Sequence, residues 1–205
     1  SYSWFLVRGK VTSRAPDGRA RRVVGTLLDI SARKDAEQRV EYLANHDPLT
    51  ELPNRLRFNH RLVQQLELVD EGRPCAILLG DLNRFKVVND TLGHHLGDLV
   101  LKEAARRLRS CVSADDLVAR LGGDEFAILM CGPHIRAEDA ATLAKALLAR
   151  FAEPMVVGGK TVEVGISLGI SLAPSDGTDD LTLLRRADLA LYRAKRGARA
   201  SFSFF

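Results

Sequence analysis

Asp81 closes a short apolar segment, and Asp124 and Glu125 follow a Gly122-Gly123 pair farther down the chain. Carboxylates that converge beside backbone carbonyls form a hard-oxygen site suited to Mg²⁺. Such a metal usually works together with substrate phosphates. Lys86, five residues after Asp81, supplies positive charge for phosphates, and the turn from Leu82 to Lys86 can aim backbone N–H groups at an anion. The glycine pair lets a phosphate approach the backbone with no Cβ in the way. Each piece alone has a plainer reading. Asp81 by itself is a strand-end residue, and Gly-Gly between two strands is a hairpin turn. The chemistry depends on the fold bringing the carboxylates together.

The hydrophobic pattern supplies such a fold. Residues 75–82 read as an apolar strand, and 116–121 and 125–131 as two strands joined at Gly122-Gly123. Helical spacing covers 55–70 (Leu56, Phe58, Leu62 and Leu66 inward), 96–112, 136–151 and 179–196. Gly158-Gly159 links a short strand to a longer one at 161–172, and the alternating tail SFSFF is expected as an edge strand. The order β, α, β, β, α, β, α is the split βαβ pattern of ferredoxin-like, α+β sheets. In that topology strand 125–131 lies between the other two and antiparallel to 75–82. Asp81 and Asp124 then become neighbours. Phe126 and Tyr192 are expected in the core, His46 and His60 at the surface, and His94-His95 at a helix start.

The first 31 residues read differently. SWFLVRGKVTS and RRVVGTLLDI flank the turn pair Asp17-Gly18 and predict a β-hairpin, marginal alone in water. Ser31 is expected to cap a helix over 32–46. Its stripe of Ala36, Val40 and Leu43 suits either a short dimeric coiled coil or a helix lying on its own domain. The chain opens at Ser1 with neither an initiator Met nor a charged-then-apolar leader, and is read as a piece of a longer protein.

Composition excludes several classes. With 205 residues, 46% hydrophobic and 27% charged, the chain is neither disordered nor fibrous, and no apolar run approaches the roughly 20 residues of a membrane span. The net charge of +4 is concentrated in residues 1–35, which carry eight basic against three acidic side chains. The rest is near neutral, so no nucleic-acid partner is expected. Cys75, Cys111 and Cys131 have no CxxC spacing, and they fit small thiols in a reducing cytoplasm rather than zinc or disulfides.

Taken together, the motifs carry a resemblance. RLGGDEFAIL resembles the signature of GGDEF-domain diguanylate cyclases. HDPLTELPNRLRF (46–58), DLNRFKVVNDTLGHHLGD (81–98), VEVGISLGISLAPSDG (162–177) and LLRRADLALYRAKRGAR (183–199) resemble further motifs of that family. WFLVRG and VVGTLLDISARK resemble the end of a PAS domain, so the domains implied are 1–31 PAS hairpin, 32–46 linker and 47–205 GGDEF. The resemblance implies a nucleotidyl-cyclase palm fold and the condensation of two GTP into cyclic di-GMP across a homodimer. It implies Mg²⁺ or Mn²⁺ held by Asp81, the Leu82 carbonyl and Asp124, with Glu125 at the same site. Lys86, Lys195 and Arg199 would hold the triphosphate; Asn89 and Asp98 would read guanine; Phe85, Gly122 and Gly123 would line the substrate. The homodimer would form through the linker helix and PAS region. EPMVVGGK and FSFF resemble GGDEF domains that precede an EAL phosphodiesterase domain.

Three departures from the family pattern stand out. Asn83 replaces a second Asp. The glycine of the closing motif is displaced around Lys195-Arg196-Gly197-Ala198-Arg199. Ser113 and Asp116 stand where an inhibitory Arg-x-x-Asp is usual, which predicts weak product inhibition because bidentate Arg pairing is lost. Two alternatives to an active cyclase remain open on the sequence: a GTP-binding regulator of a downstream EAL domain, and a sensor and dimerisation fragment.

Overall fold

The computed structural model describes residues 2–69, 71–197 and 201–205, and its chain divides into two compact units, Ser1–Ala44 and Asn45–Phe205. In the first unit, β1 (Phe5–Arg14) and β2 (Ala20–Asp29) pair antiparallel, with Leu6 opposite Leu28 and Val11 opposite Val23. Asp17 shapes the connecting loop by accepting from the Arg19 backbone and side chain. Helix α1 (Ser31–Asn45) follows. Ser31 is its first residue rather than its cap. Its N–H donates to Asp29 Oδ1, and its hydroxyl accepts from Trp4 N–H. Asp29 thus does the capping expected of Ser31. The apolar side chains of Phe5, Val7, Val23 and Leu27 are exposed, as are Val40 and Leu43 of α1.

The second unit is built on one five-stranded sheet in the order β4-β5-β3-β8-β9. Its strands are β3 (Cys75–Leu82), β4 (Leu117–Gly122), β5 (Glu125–Cys131), β8 (Ile166–Ala173) and β9 (Phe202–Phe204). All neighbours are antiparallel except β8 and β9, which run parallel. A separate small ribbon, β6 (Met155–Val157) with β7 (Lys160–Val162), turns at Gly158-Gly159. The expected α+β architecture and the placement of β5 between β4 and β3 are both present.

Alternation along β3 and β5 builds a core on each face of the sheet. Ala76, Leu78, Leu82, Phe126 and Ile128 face α4 (His94–Cys111) and α5 (Ala137–Ala152). Cys75, Ile77, Ala127 and Leu129 face α2 (Arg55–Val69) and α6 (Asp180–Arg196). The short helix α3 (Phe85–Leu92) joins β3 to α4. Two sequence expectations fail at the margins of helical stripes: Leu56 and Tyr192 are exposed, at 50% and 59%. Apolar spacing alone does not say how wide a helix's buried face is.

Arg107 on α4 is a buried cation with every donor group engaged. Its guanidinium donates to the carbonyls of Arg150, Glu153 and Pro154 at the end of α5, and to Glu103 Oε1 at 3.0 Å. Cys75 and Cys131 face each other across β3 and β5, and burial pushes their thiols up to about 12 and about 11. They are protonated and inert at neutral pH.

Candidate active site

The open end of β3 and β5 brings the carboxylates together. Asp81 stands directly opposite Glu125, and Leu82 N–H donates to the Asp124 carbonyl at 3.3 Å. Like charges directly opposed across a sheet are unfavourable. Two cations offset them. Lys195 Nζ, at the last turn of α6, lies 2.7 Å from Asp81 Oδ2, and an Arg55 terminal nitrogen lies 3.3 Å from Glu125 Oε2. Burial raises the Asp81 carboxyl above its ordinary range; Lys195 offsets this in part, while Asp124 and Glu125 push the same way as burial.

The turn between β4 and β5 needs its glycines. Gly122 and Gly123 have φ of 145° and 50°, and a Cβ on either would meet nothing within 4 Å. They serve backbone conformation and leave the outer side open. Arg120 braces this turn from within. Its guanidinium donates to the Gly123 carbonyl at 3.0 and 2.8 Å, and to both Asp47 oxygens at 2.9 and 3.1 Å. Burial alone would raise Asp47, but hydrogen bonds from Thr50 and Arg120 outweigh it and hold the carboxyl low.

Beyond β3 the chain enters α3 through Arg84, a non-glycine residue at φ 61°. A helix start leaves its first N–H groups without intrahelical acceptors. Val87 and Val88 N–H already donate to the Arg84 carbonyl at 2.9 and 3.4 Å, so here the leading groups are those of Phe85 and Lys86. Lys86 is exposed beside them. The Phe85 side chain, expected to line substrate, is buried among core residues at 7% exposure. Asn89 abuts Gly97: a Cβ there would collide with the Asn89 side-chain oxygen and come within 3.3 Å of Phe85 Cζ. This close approach of α3 to α4 sets Asn89 beside the residue preceding Asp98, which is exposed.

Asn83 is tied to β8. Its Oδ1 accepts from Ser167 Oγ at 2.8 Å, and its N–H donates to the Gly165 carbonyl at 2.8 Å. Asp116 is wholly used by the fold. One oxygen takes Ser113 N–H and Oγ, and the other takes Cys131 N–H. Arg199 lies outside the described residues. The sequence reading missed Arg55, Arg120 and Asp47. Their only signal was position: Arg120 sits two residues before the glycine turn, and the other two lie in the 46–58 motif.

The oxygens at this edge fit Mg²⁺ or Mn²⁺ in kind, being two carboxylates and a carbonyl with no sulfur or imidazole. Among the described residues no group of three or more His, Cys, Asp or Glu side chains could hold a metal ion. No helix among the described residues is long and apolar enough to cross a membrane.

The family profile described as "Diguanylate cyclase, GGDEF domain" matches residues 44–201. The bifunctional diguanylate cyclase/cyclic di-GMP phosphodiesterase MucR of Pseudomonas aeruginosa is 44% identical over 171 residues, covering 83% of this chain and 25% of MucR. The cyclic di-GMP phosphodiesterase PdeR of Escherichia coli is 34% identical over 201 residues, covering 98% of this chain and 30% of PdeR. A solved structure of the GGDEF domain of TpbB from Pseudomonas aeruginosa is 42% identical with a TM-score of 0.74, over 78% of this chain and 93% of that one. The chain thus spans under a third of these two full-length relatives. Motif, sheet order and profile agree over the same stretch, and on that agreement the chain belongs to the GGDEF-domain family of diguanylate cyclases.

Proposed function

We propose that this chain is the cyclase module of a longer signalling protein and condenses two GTP into cyclic di-GMP. The observation that carries this reading is the opposed pair Asp81 and Glu125, with Asp124 joined to Leu82, at the open end of β3 and β5. A sheet gains no stability from such crowding of carboxylates. Its use is chemical.

In this reading the 3′-hydroxyl of one GTP attacks the α-phosphorus of the other. The P–O bond to pyrophosphate breaks, the hydroxyl proton passes to Glu125 or water, and the reciprocal step closes the ring with a second pyrophosphate. A bound Mg²⁺ or Mn²⁺ neutralises phosphate charge in such transfers. Asp81, the Leu82 carbonyl and Asp124 would hold it. Lys86, Lys195 and Arg199 hold the triphosphate, with Gly122 and Gly123 admitting it to the backbone. Asp98 accepts from guanine N1–H and N2, and Asn89 pairs beside it; adenine would leave Asp98 unpaired, at about 1–3 kcal/mol. Each copy holds one GTP, so two copies must face each other. Residues 1–31 are then the end of a PAS sensor and 32–46 the linker through which a homodimer is gated, with an EAL domain as a further partner. The reaction belongs in the cytoplasm, where GTP is available.

A second reading is a GTP-binding regulator of a phosphodiesterase. The likeness to PdeR and the replacement of an acidic residue by Asn83 favour it. Purified chain incubated with GTP and Mg²⁺ or Mn²⁺ at several protein concentrations separates the two. Cyclic di-GMP rising more steeply than linearly with protein, and lost in Asp124→Asn, supports the cyclase. A dimeric chain that binds GTP and makes no product selects the regulator.

A further inference from the structure

Arg55, the first residue of α2, reaches across the end of the sheet. Its Nε donates to the Leu121 carbonyl at 3.2 Å and a terminal nitrogen to Glu125 Oε2 at 3.3 Å. These two acceptors flank the Gly122-Gly123 turn, the stretch of the site with the fewest side-chain constraints. Arg120 braces the same turn but spends its donors on the Gly123 carbonyl and Asp47. Among the described residues, Arg55 is the one cation within ion-pair distance of Glu125.

The pair has the wrong character for a stabilising device. Both side chains are more than half exposed, and exposed ion pairs contribute little to folding. Both line a cleft of about 520 Å³ between α2, α6 and the sheet end, whose other charged residues are Arg185 and Asp188. The planar guanidinium serves two acceptors in fixed directions, which a lysine ammonium cannot do. The carbonyl bond orients the fork, and the fork orients the carboxylate.

We propose that Arg55 is a positioning residue for the cyclase reaction, holding the turn and the Glu125 carboxylate in one orientation beside Asp81. The inference rests on the cyclase reading above. Small displacements of a reacting group cost rate steeply. Arg55→Ala is therefore expected to lower kcat by about ten- to a hundredfold. The KM for GTP, the dimer fraction at assay concentration and the melting midpoint should stay as in the wild type. Arg55→Lys should recover part of kcat and not all of it. Hydrogen exchange at the amides of 123–125 should quicken in Arg55→Ala, whether or not the chain turns over.

Wild-type kcat in Arg55→Ala would overturn the proposal. So would a loss carried by KM, by dissociation of the dimer or by unfolding, or an Arg55→Lys variant no better than Ala. If the wild-type chain makes no product, the cyclase reading fails first, and unchanged exchange at 123–125 then removes the positioning role as well.

Discussion

Asp81 and Asp116 sit near opposite ends of the same sheet and could hardly be used more differently. Asp116 accepts three hydrogen bonds, two of them from backbone N–H groups, and knits the start of β4 to the end of β5. Asp81 accepts from the half-exposed ammonium of Lys195 and faces a second carboxylate. The first is a carboxylate consumed by structure. The second is held in place and left available. A fold can therefore carry chemically identical side chains whose roles are told apart by counting who donates to them.

Substitution should separate the two. Asp81→Asn is expected to cut cyclic di-GMP synthesis about a thousandfold or more, since charge at the reacting phosphates is lost. Its melting midpoint should move by no more than about 4 °C, because the ion pair with a half-exposed Lys195 contributes only about 0–1 kcal/mol. Chromatography of the nucleotides and a thermal melt read the two effects. Substantial synthesis by the variant would end the contrast.

Asp116→Ala should do the reverse. It strands the Ser113 and Cys131 N–H groups, at about 2–3 kcal/mol in urea unfolding, while turnover per folded molecule stays close to wild type. Added cyclic di-GMP should inhibit variant and wild type equally weakly. Strong inhibition of the wild type, abolished in the variant, would show that Asp116 keeps a ligand-binding role.

A third carboxylate sharpens the comparison on a smaller scale. Hydrogen bonding from Arg106 lowers the Glu103 carboxyl to about 2; burial opposes this and Arg107 adds to it. A depressed value means that its stabilisation is complete above the ordinary value of 4.5. The contribution fades as pH falls from there through about 2. The urea midpoints of wild type and Glu103→Gln should differ at pH 6 and converge toward pH 2.5. A gap that stays constant across that range would refute the assignment.

Much of this was legible in the sequence because it rests on periodicity. The bounds of β3 and β5 follow from two apolar runs, and their order from the split βαβ pattern. Helix α3 was not anticipated. It is eight residues long, follows a left-handed Arg84 and ends at Gly93, too short for its spacing to stand out from a turn. The longer strand expected at 161–172 divides into β7 and β8, with residues 163–165 outside both strands. The bracing arginines were invisible for another reason. Arg55 meets Leu121 and Arg120 meets Asp47 across 66 and 73 residues, and charge complementarity leaves no periodic trace.

The Arg107 clasp bears on how the unit comes apart. A helix ordinarily finds partners for its last carbonyls nearby in sequence or in water. Here α5 borrows a guanidinium from a helix 43 to 47 residues earlier, and that guanidinium is buried. The carbonyls at the end of α5 take both terminal nitrogens of Arg107 while Glu103 of α4 takes its Nε, so the buried charge keeps most of its partners only while the two helices stay docked. Undocking of α4 and unravelling of α5 are thereby one event rather than two. The stretch from Asn45 to Phe205 gains cooperativity from a single side chain that lies apart from the carboxylates at the open end of β3 and β5.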